Sequence, residues 1–317
     1  MPPPIAIYGA LARFNYGDLL FPIILERALE VAGCDRPIHV VGLRRSDLSR
    51  YHAKTTLPVR WPAQPSNLPD GSKIIIAGGE VLAAGWGRLF SYLLPQGSGD
   101  QIYAIASRMF DQQRLDHFAW RRAGVPWKIP FCPRPADFAN RVSILFNAVG
   151  GSGLADRDPE WRTAVSRSLD DAEYASVRDR QTYELLGKTC EFRPDSAAAM
   201  RDFFPPDWLR TKARDDLRPI LEGPPYVCFQ LHRHFTLKKL QRFAAELDRC
   251  QRDGGLRIVL LPIGRAAGHS DHVSLARVRS AMQTEAHLPK DLGVFDIMAL
   301  LAGSAIFAGT SLHGLIS

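Results

Sequence analysis

The chain has 317 residues, of which 46% are hydrophobic and 23% charged, with a formal net charge of +7. That length allows two ordinary domains with a sizeable core, and the composition excludes a disordered or fibrous chain. The positive excess suits an anionic ligand or an acidic polymer, but the basic runs are short (Arg44-Arg45, Arg121-Arg122, Lys238-Lys239) and no nucleic-acid-binding module accompanies them.

The chain opens on Met1-Pro2-Pro3-Pro4, without a basic n-region or a cleavage site, and no later apolar run approaches the roughly 18 residues that span a bilayer. Residues 5–8 read as a strand, 9–17 as a loop, and 19–31 as a helix ending at Gly33. Strands are predicted at 38–43, at 73–77 (broken by Gly78-Gly79) and at 142–149 (followed by Gly150-Gly151). The proline-rich stretch 206–225 reads as a linker between a domain at 1–205 and another at 226–317. The pattern then restarts, with strands at 226–231, 256–262 and 306–308, helices at 237–251 and 274–283, and a loop at 309–314. Residues 315–317 would open a further helix, so the second domain is expected to be incomplete at its C-terminus. The alternation predicts an α/β protein of two Rossmann-like, GT-B-like domains whose parallel sheets face a cleft. Cys34, Cys132, Cys190, Cys228 and Cys250 are odd in number and dispersed, which favours a reducing, cytoplasmic compartment, at most peripheral at the inner face of the plasma membrane.

In open α/β sheets ligands bind beyond the carboxyl ends of the strands. That rule selects the loops 14–18, 78–82, 147–151, 232–234 and 309–314. None is a P-loop or a GxGxxG fingerprint, so no nucleotide is demanded. His269-Ser270-Asp271-His272 lacks a matching ligand set and reads as a solvated loop, and no metal is expected. His313 sits in a glycine-flanked loop at a strand end, where an imidazole can act as acid or base near neutral pH; a loop-fixing hydrogen bond is the alternative. Asp18 suits a helix N-cap as well as a base. Trp86, Trp120 and Trp127 suit core packing better than sugar stacking.

An ordered set of short motifs resembles the polysaccharide pyruvyl transferases. Asn15-Tyr16-Gly17-Asp18 looks like their N-x-G-D signature, and residues 74–82 (IIIAGGEVL) resemble their strand-plus-glycine motif, with Glu80 where a third glycine is commoner. Residues 175–187 (ASVRDRQTYELLG), Pro194-Asp195-Ser196-Ala197, 258–262 (IVLLP) and 309–314 (GTSLHG) follow in the family's order, with Ser311 in place of a frequent arginine. The resemblance implies transfer of the pyruvyl unit of phosphoenolpyruvate onto sugar hydroxyls as a ketal. Phosphoenolpyruvate would be a co-substrate, with no resident cofactor. The acceptor would be an oligosaccharide or polysaccharide, free or lipid-linked. His313 and Asp18 would be catalytic. Arg178, His232, Arg233, Thr310, Ser311 and Gly314 would bind the donor, arginine being suited to carboxylate and phosphate. Asn15, Gly17, Gly78, Gly79, Glu80 and Asn147 would bind the acceptor. For Arg178 a salt bridge with Asp179 is the alternative. A GT-B-like glycosyltransferase using a nucleotide sugar, with Glu285 or Asp291 on the ribose, and an inactive relative are the competing readings.

Overall fold

Short apolar strands alternating with amphipathic helices favour a parallel sheet covered on both faces. The computed structural model of the chain, which describes residues 2–94, 98–232, 235–264 and 270–317, has two such sheets. The first contains β1 (Ile5–Tyr8), β2 (Ile38–Gly42), β3 (Leu57–Pro58), β4 (Lys73–Ala77), β5 (Ser143–Val149), β6 (Tyr174–Val177) and β7 (Glu191–Phe192), in the spatial order β3-β2-β1-β4-β5-β6-β7. The second contains β8 (Tyr226–Gln230), β9 (Arg257–Leu260), β10 (Ala286–His287) and β11 (Ile306–Gly309), in the order β10-β9-β8-β11. All pairings between these strands are parallel. The expected α/β class with two parallel sheets is the fold observed. In each sheet the order reverses beside the first strand, between β1 and β4 and between β8 and β11, and such switch points open a crevice at the strands' carboxyl ends.

Packing divides the chain into two units. The first comprises Met1–Arg13, Leu20–Leu48 and Lys54–Ser196; the second comprises Phe14–Leu19, Ser49–Ala53 and Ala197–Ser317. The first turn of the helix Tyr16–Val31 thus belongs with the second unit and the rest of that helix with the first. The first unit's core gathers Tyr8, Ile76, Trp86, Trp127, Phe131 and Phe146, all at most 2% exposed. Trp86 and Trp127 are therefore core residues, as expected in preference to sugar stacking. The second unit's core is built on Val227, Phe229, Leu240, Ile258, Leu260 and Leu275.

The predicted strands lie within two residues of the observed bounds at most of their ends. The sequence reading passed over three two-residue edge strands, β3, β7 and β10, and the helices Trp86–Ser91, Ser98–Met109, Gln112–Ala123, Pro159–Asp170 and Val294–Gly303. The stretch 206–225 carries two short helices, Pro206–Lys212 and Arg218–Leu221, each with a proline in its first turn, where the missing N–H costs nothing. Leu209 and Ile220 bury these helices into the second unit. Residues 309–314 are not all loop: Ser311 caps a helix, Leu312–Ile316, by accepting from the Gly314 amide at 3.2 Å, so His313 lies in a first helical turn. No helix among the described residues is long and apolar enough to cross a membrane.

Candidate functional site

The second unit brings the segment Phe14–Leu19 together with residues 197–317. Asn15 pairs in an isolated antiparallel bridge with Gly264, just beyond β9. The helix that follows Asn15 starts at Tyr16, which is fully buried and shares a hydrogen bond of 2.8 Å with the Ser317 hydroxyl. This seats Gly17 against His313. A Cβ built on Gly17 would lie 2.3 Å from His313 Nδ1 and 2.8 Å from Cγ, far inside contact distance. Gly17 is therefore a close-approach glycine: the imidazole occupies the volume any side chain there would need. Asp18, one residue on, accepts from Asn15 Nδ2 at 2.8 Å and lies within the first turn rather than at the N-cap. Asn15, Gly17, Asp18 and His313, assigned to two different roles from the sequence, form one group.

A polar relay holds the loop leading to His313. Gln230 ends β8 with 3% exposure, the polar member of a strand buried along its whole length. Its Oε1 accepts from the Thr310 and Ser311 amides, both at 2.9 Å, and its Nε2 donates to Asp271 Oδ2 at 2.8 Å. The same Asp271 oxygen accepts from the Gly264 amide at 2.7 Å. Asp271 is 2% exposed, and burial pushes its carboxyl up to about 6 against the hydrogen bonds that favour its charged form. Asp271 thus corrects the solvated-loop reading of its segment. His269 of that segment lies outside the described residues.

The relay also revises the expected donor contacts. The Thr310 and Ser311 amides, expected to face phosphate, are engaged by Gln230. The Thr310 hydroxyl accepts from the His232 amide at 3.1 Å, and the Ser311 hydroxyl caps the following helix. Gly314 is closely packed: a Cβ there would meet Phe307 Cζ at 2.6 Å and Ile263 Cδ1 at 2.9 Å. The His232 ring stacks on Phe235 at 4.6 Å. Arg233 lies outside the described residues, as does His234.

Arg178 belongs to the first unit, with Gly78, Gly79, Glu80 and Asn147. It follows β6, and its side chain is 8% exposed between two carboxylates, Asp195 at 2.5 Å and Glu80 at 3.1 Å. Burial opposes its charge, but Asp195 and Glu80 more than offset this and raise its pKa. The arginine expected to bind donor anion is thus neutralised by protein carboxylates, and its partner is not Asp179, which instead caps the helix Arg180–Leu186. Glu80 is held from the other side by the Ser152 amide at 2.7 Å and hydroxyl at 2.8 Å. Gly79 and Gly150 line this cluster: a Cβ on Gly150 would lie 2.5 Å from Glu80 Oε1 and 2.9 Å from Arg178 Nε, and one on Gly79 would lie 3.3 Å from an Arg178 nitrogen. The close neighbour at Gly78, by contrast, is Val81, at 2.8 Å. Asn147 lies within β5 at a register shift, its Nδ2 is buried without a hydrogen-bond partner among the described residues, and the next residue, Ala148, adopts φ 46°. A buried unpaired donor beside a strained backbone marks a place where a ligand's acceptor would be welcome.

Trp120 is half-buried, with Nε1 donating to Val125 O at 2.9 Å. Among the described residues, no group of three or more His, Cys, Asp or Glu side chains is gathered closely enough to hold a metal ion. The residues the sequence reading missed are Gln230 and Ser152, and Asp271 was read as solvated rather than buried. Gln230 alone carried a signal, a polar side chain closing an otherwise apolar buried strand.

Residues 15–317 match the family model described as polysaccharide pyruvyl transferase. No curated protein sequence matches the chain significantly. Among solved structures the chain is similar to the S. aureus MnaA-UDP co-structure, at 13% identity and a TM-score of 0.47, over 99% of this chain and 75% of that one.

Proposed function

Because the chain belongs to the polysaccharide pyruvyl transferase family, we propose that it moves the pyruvyl group of phosphoenolpyruvate onto two hydroxyls of a sugar, in a polysaccharide or its precursor, as a ketal. The atoms balance as follows. The methylene carbon of the enol takes a proton and becomes a methyl group, and the neighbouring carbon becomes electron-poor. One sugar hydroxyl adds there. The C–O bond to phosphate breaks, and a second hydroxyl of the same sugar closes the ketal. Of the two hydroxyl protons released, one balances the proton delivered to carbon and the other leaves on phosphate.

Each step moves a proton at near-neutral pH, the task an imidazole performs. We assign that task to His313. The observation that carries the reading is the seating of the imidazole on Gly17, which ties the N-x-G-D segment to the GTSLHG segment through one side chain. A ring braced on a backbone Cα loses little orientation when substrate arrives, and such preorganisation is where rate is gained. Asp18 and Asn15 stand in the same group as candidates to handle a sugar hydroxyl. The donor anion is assigned to the strand-end residues His232 and Arg233 and the Ser311 hydroxyl, the Thr310 hydroxyl being turned to Gln230 Oε1 at 3.3 Å. Sugar hydroxyls of the acceptor are assigned to Glu80 and Asn147.

The test is phosphate release from phosphoenolpyruvate in the presence of candidate oligosaccharides, with the wild type and His313→Ala. The expected result is acceptor-dependent release by the wild type, lost in the variant, with thermal stabilisation by phosphoenolpyruvate retained in both. Near-normal turnover by the variant would remove His313 from the chemistry, and no stabilisation of the wild type by phosphoenolpyruvate would remove the donor.

A further inference from the structure

Two consecutive helices of the first unit expose what a helix normally buries. In the helix Ser98–Met109, Tyr103 and Ala106 face inward, and Ile102, Ile105 and Met109 stand 51%, 57% and 72% exposed. Their spacing of three and four residues places them on one solvent-facing stripe. Phe110, directly after the helix, is 48% exposed and Leu94, before it, 38%. The helix Gln112–Ala123 buries Asp116, Ala119 and Ala123 and turns Phe118 outward at 67% exposure. Arg114, Arg121 and Arg122 lie four residues before, three after and four after Phe118, so they surround it on the same face, with the Arg122 guanidinium 6.0 Å from the ring centroid.

Charge selects the occupant. Among the described side chains of residues 98–123 the exposed charged groups are Arg108, Arg114, Arg121 and Arg122 against Asp111 alone. Asp116 is turned inward, taking hydrogen bonds from the Gly87 amide at 2.8 Å and Gln112 Nε2 at 3.2 Å. Apolar side chains ringed by arginine are the pattern of a helix lying in the interface of an anionic bilayer, with the apolar groups among the acyl chains and the guanidinium groups at the lipid phosphates. A second copy of the same face would bring four arginines against four.

We propose that the paired faces of the helices Ser98–Met109 and Gln112–Ala123 form a docking surface for an anionic lipid bilayer. The surface is independent of the residues assigned to pyruvyl transfer.

The experiment is sedimentation of the full chain with vesicles of phosphatidylcholine alone and of phosphatidylcholine mixed with phosphatidylglycerol, at low and high salt. Binding is expected to the mixed vesicles and to weaken as salt rises. The variant Arg121→Gln/Arg122→Gln should bind about thirtyfold more weakly, from the usual contribution per arginine near an anionic surface. A second variant, Ile102→Glu/Ile105→Glu, should lose binding to a similar degree while keeping the parent's thermal midpoint, since both positions are already in water. Absence of binding to the mixed vesicles, or binding that neither variant weakens, would overturn the proposal. So would a dimer in light scattering that Ile105→Glu dissociates, because a second copy would then be the occupant.

Discussion

Replacing Gly17 with alanine tests the central geometry most directly. The added methyl would start 2.3 Å from His313 Nδ1, where ordinary van der Waals contact begins at 3.4 Å, so the ring must retreat by about 1 Å. Two stability effects oppose each other. Alanine in a helical turn gains up to about 1 kcal/mol over glycine, and overpacking a close contact costs about 1–3 kcal/mol. The net loss is at most about 3 kcal/mol, which a protein of ordinary stability survives folded. Catalysis has no such compensation. A displacement of about 1 Å at a catalytic group can lower turnover about a hundredfold, or roughly 2.7 kcal/mol of barrier. Gly33→Ala is the matched control: Gly33 has φ +74° and nothing near its Cβ direction, so alanine there strains the backbone without touching the site. Acceptor-dependent phosphate release and thermal midpoints would be measured for both variants. Gly17→Ala should be folded and slow, and Gly33→Ala less stable and fully active. Turnover of Gly17→Ala within threefold of the parent would refute the argument that the glycine exists to seat the imidazole.

Two further outcomes follow from the buried charges. Removing Arg178 strips Asp195, whose side chain is 11% exposed, of its 2.5 Å partner. Arg178→Ala should therefore cost about 3 kcal/mol, seen as a fall of roughly 6–12 °C in thermal midpoint, and a fall of less than 2 °C would show that the pair contributes little. The Asp271 carboxyl is raised from the ordinary 3.8 to about 6, so the folded chain holds that proton more tightly than the unfolded chain does. Its contribution to stability is greatest at low pH, declines as pH rises from 3.8 to about 6, and is a constant cost of about 3 kcal/mol above that window. Asp271→Asn keeps an oxygen for Gln230 and Gly264 and has no proton to lose, so the midpoint difference, variant minus wild type, should grow between pH 4 and pH 7. A difference independent of pH would dismiss the raised carboxyl.

Much of the scaffold was legible because buried parallel strands leave a plain signature. Residues 5–8, 73–77 and 226–230 are runs of four or five mostly apolar side chains closed by glycine or a polar turn, and β1, β4 and β8 occupy them. The edge strands β3, β7 and β10 are two residues long and form by pairing with a neighbour already in place, a property of the sheet rather than of their own residues. The helix Val294–Gly303 escaped notice for the opposite reason. It is apolar around most of its circumference, with Val294, Ile297, Met298, Ala299 and Leu300 at most 1% exposed, so no periodic polar face announces it.

The candidate site divides along the same line. The strand-end rule located its loops, since where a strand ends is written locally in the chain. Which side chain each loop faces is not. Arg178 reads from sequence as a cation available to a ligand, and only the fold shows that Asp195 and Glu80 already hold it. Thr310 and Ser311 read as donors to an anion, and only the fold supplies Gln230 to accept from them. The pairing of Gly17 with His313 is the extreme case: a glycine at residue 17 fixes an imidazole at residue 313, and nothing in the sequence around either one announces the other. A functional assignment built on His313 therefore rests on the first helical turn of the chain as much as on the histidine itself. Substitutions at Gly17 and at His313 should be non-additive, the double variant being no slower than His313→Ala alone, because once the ring is gone the methyl group has nothing left to displace.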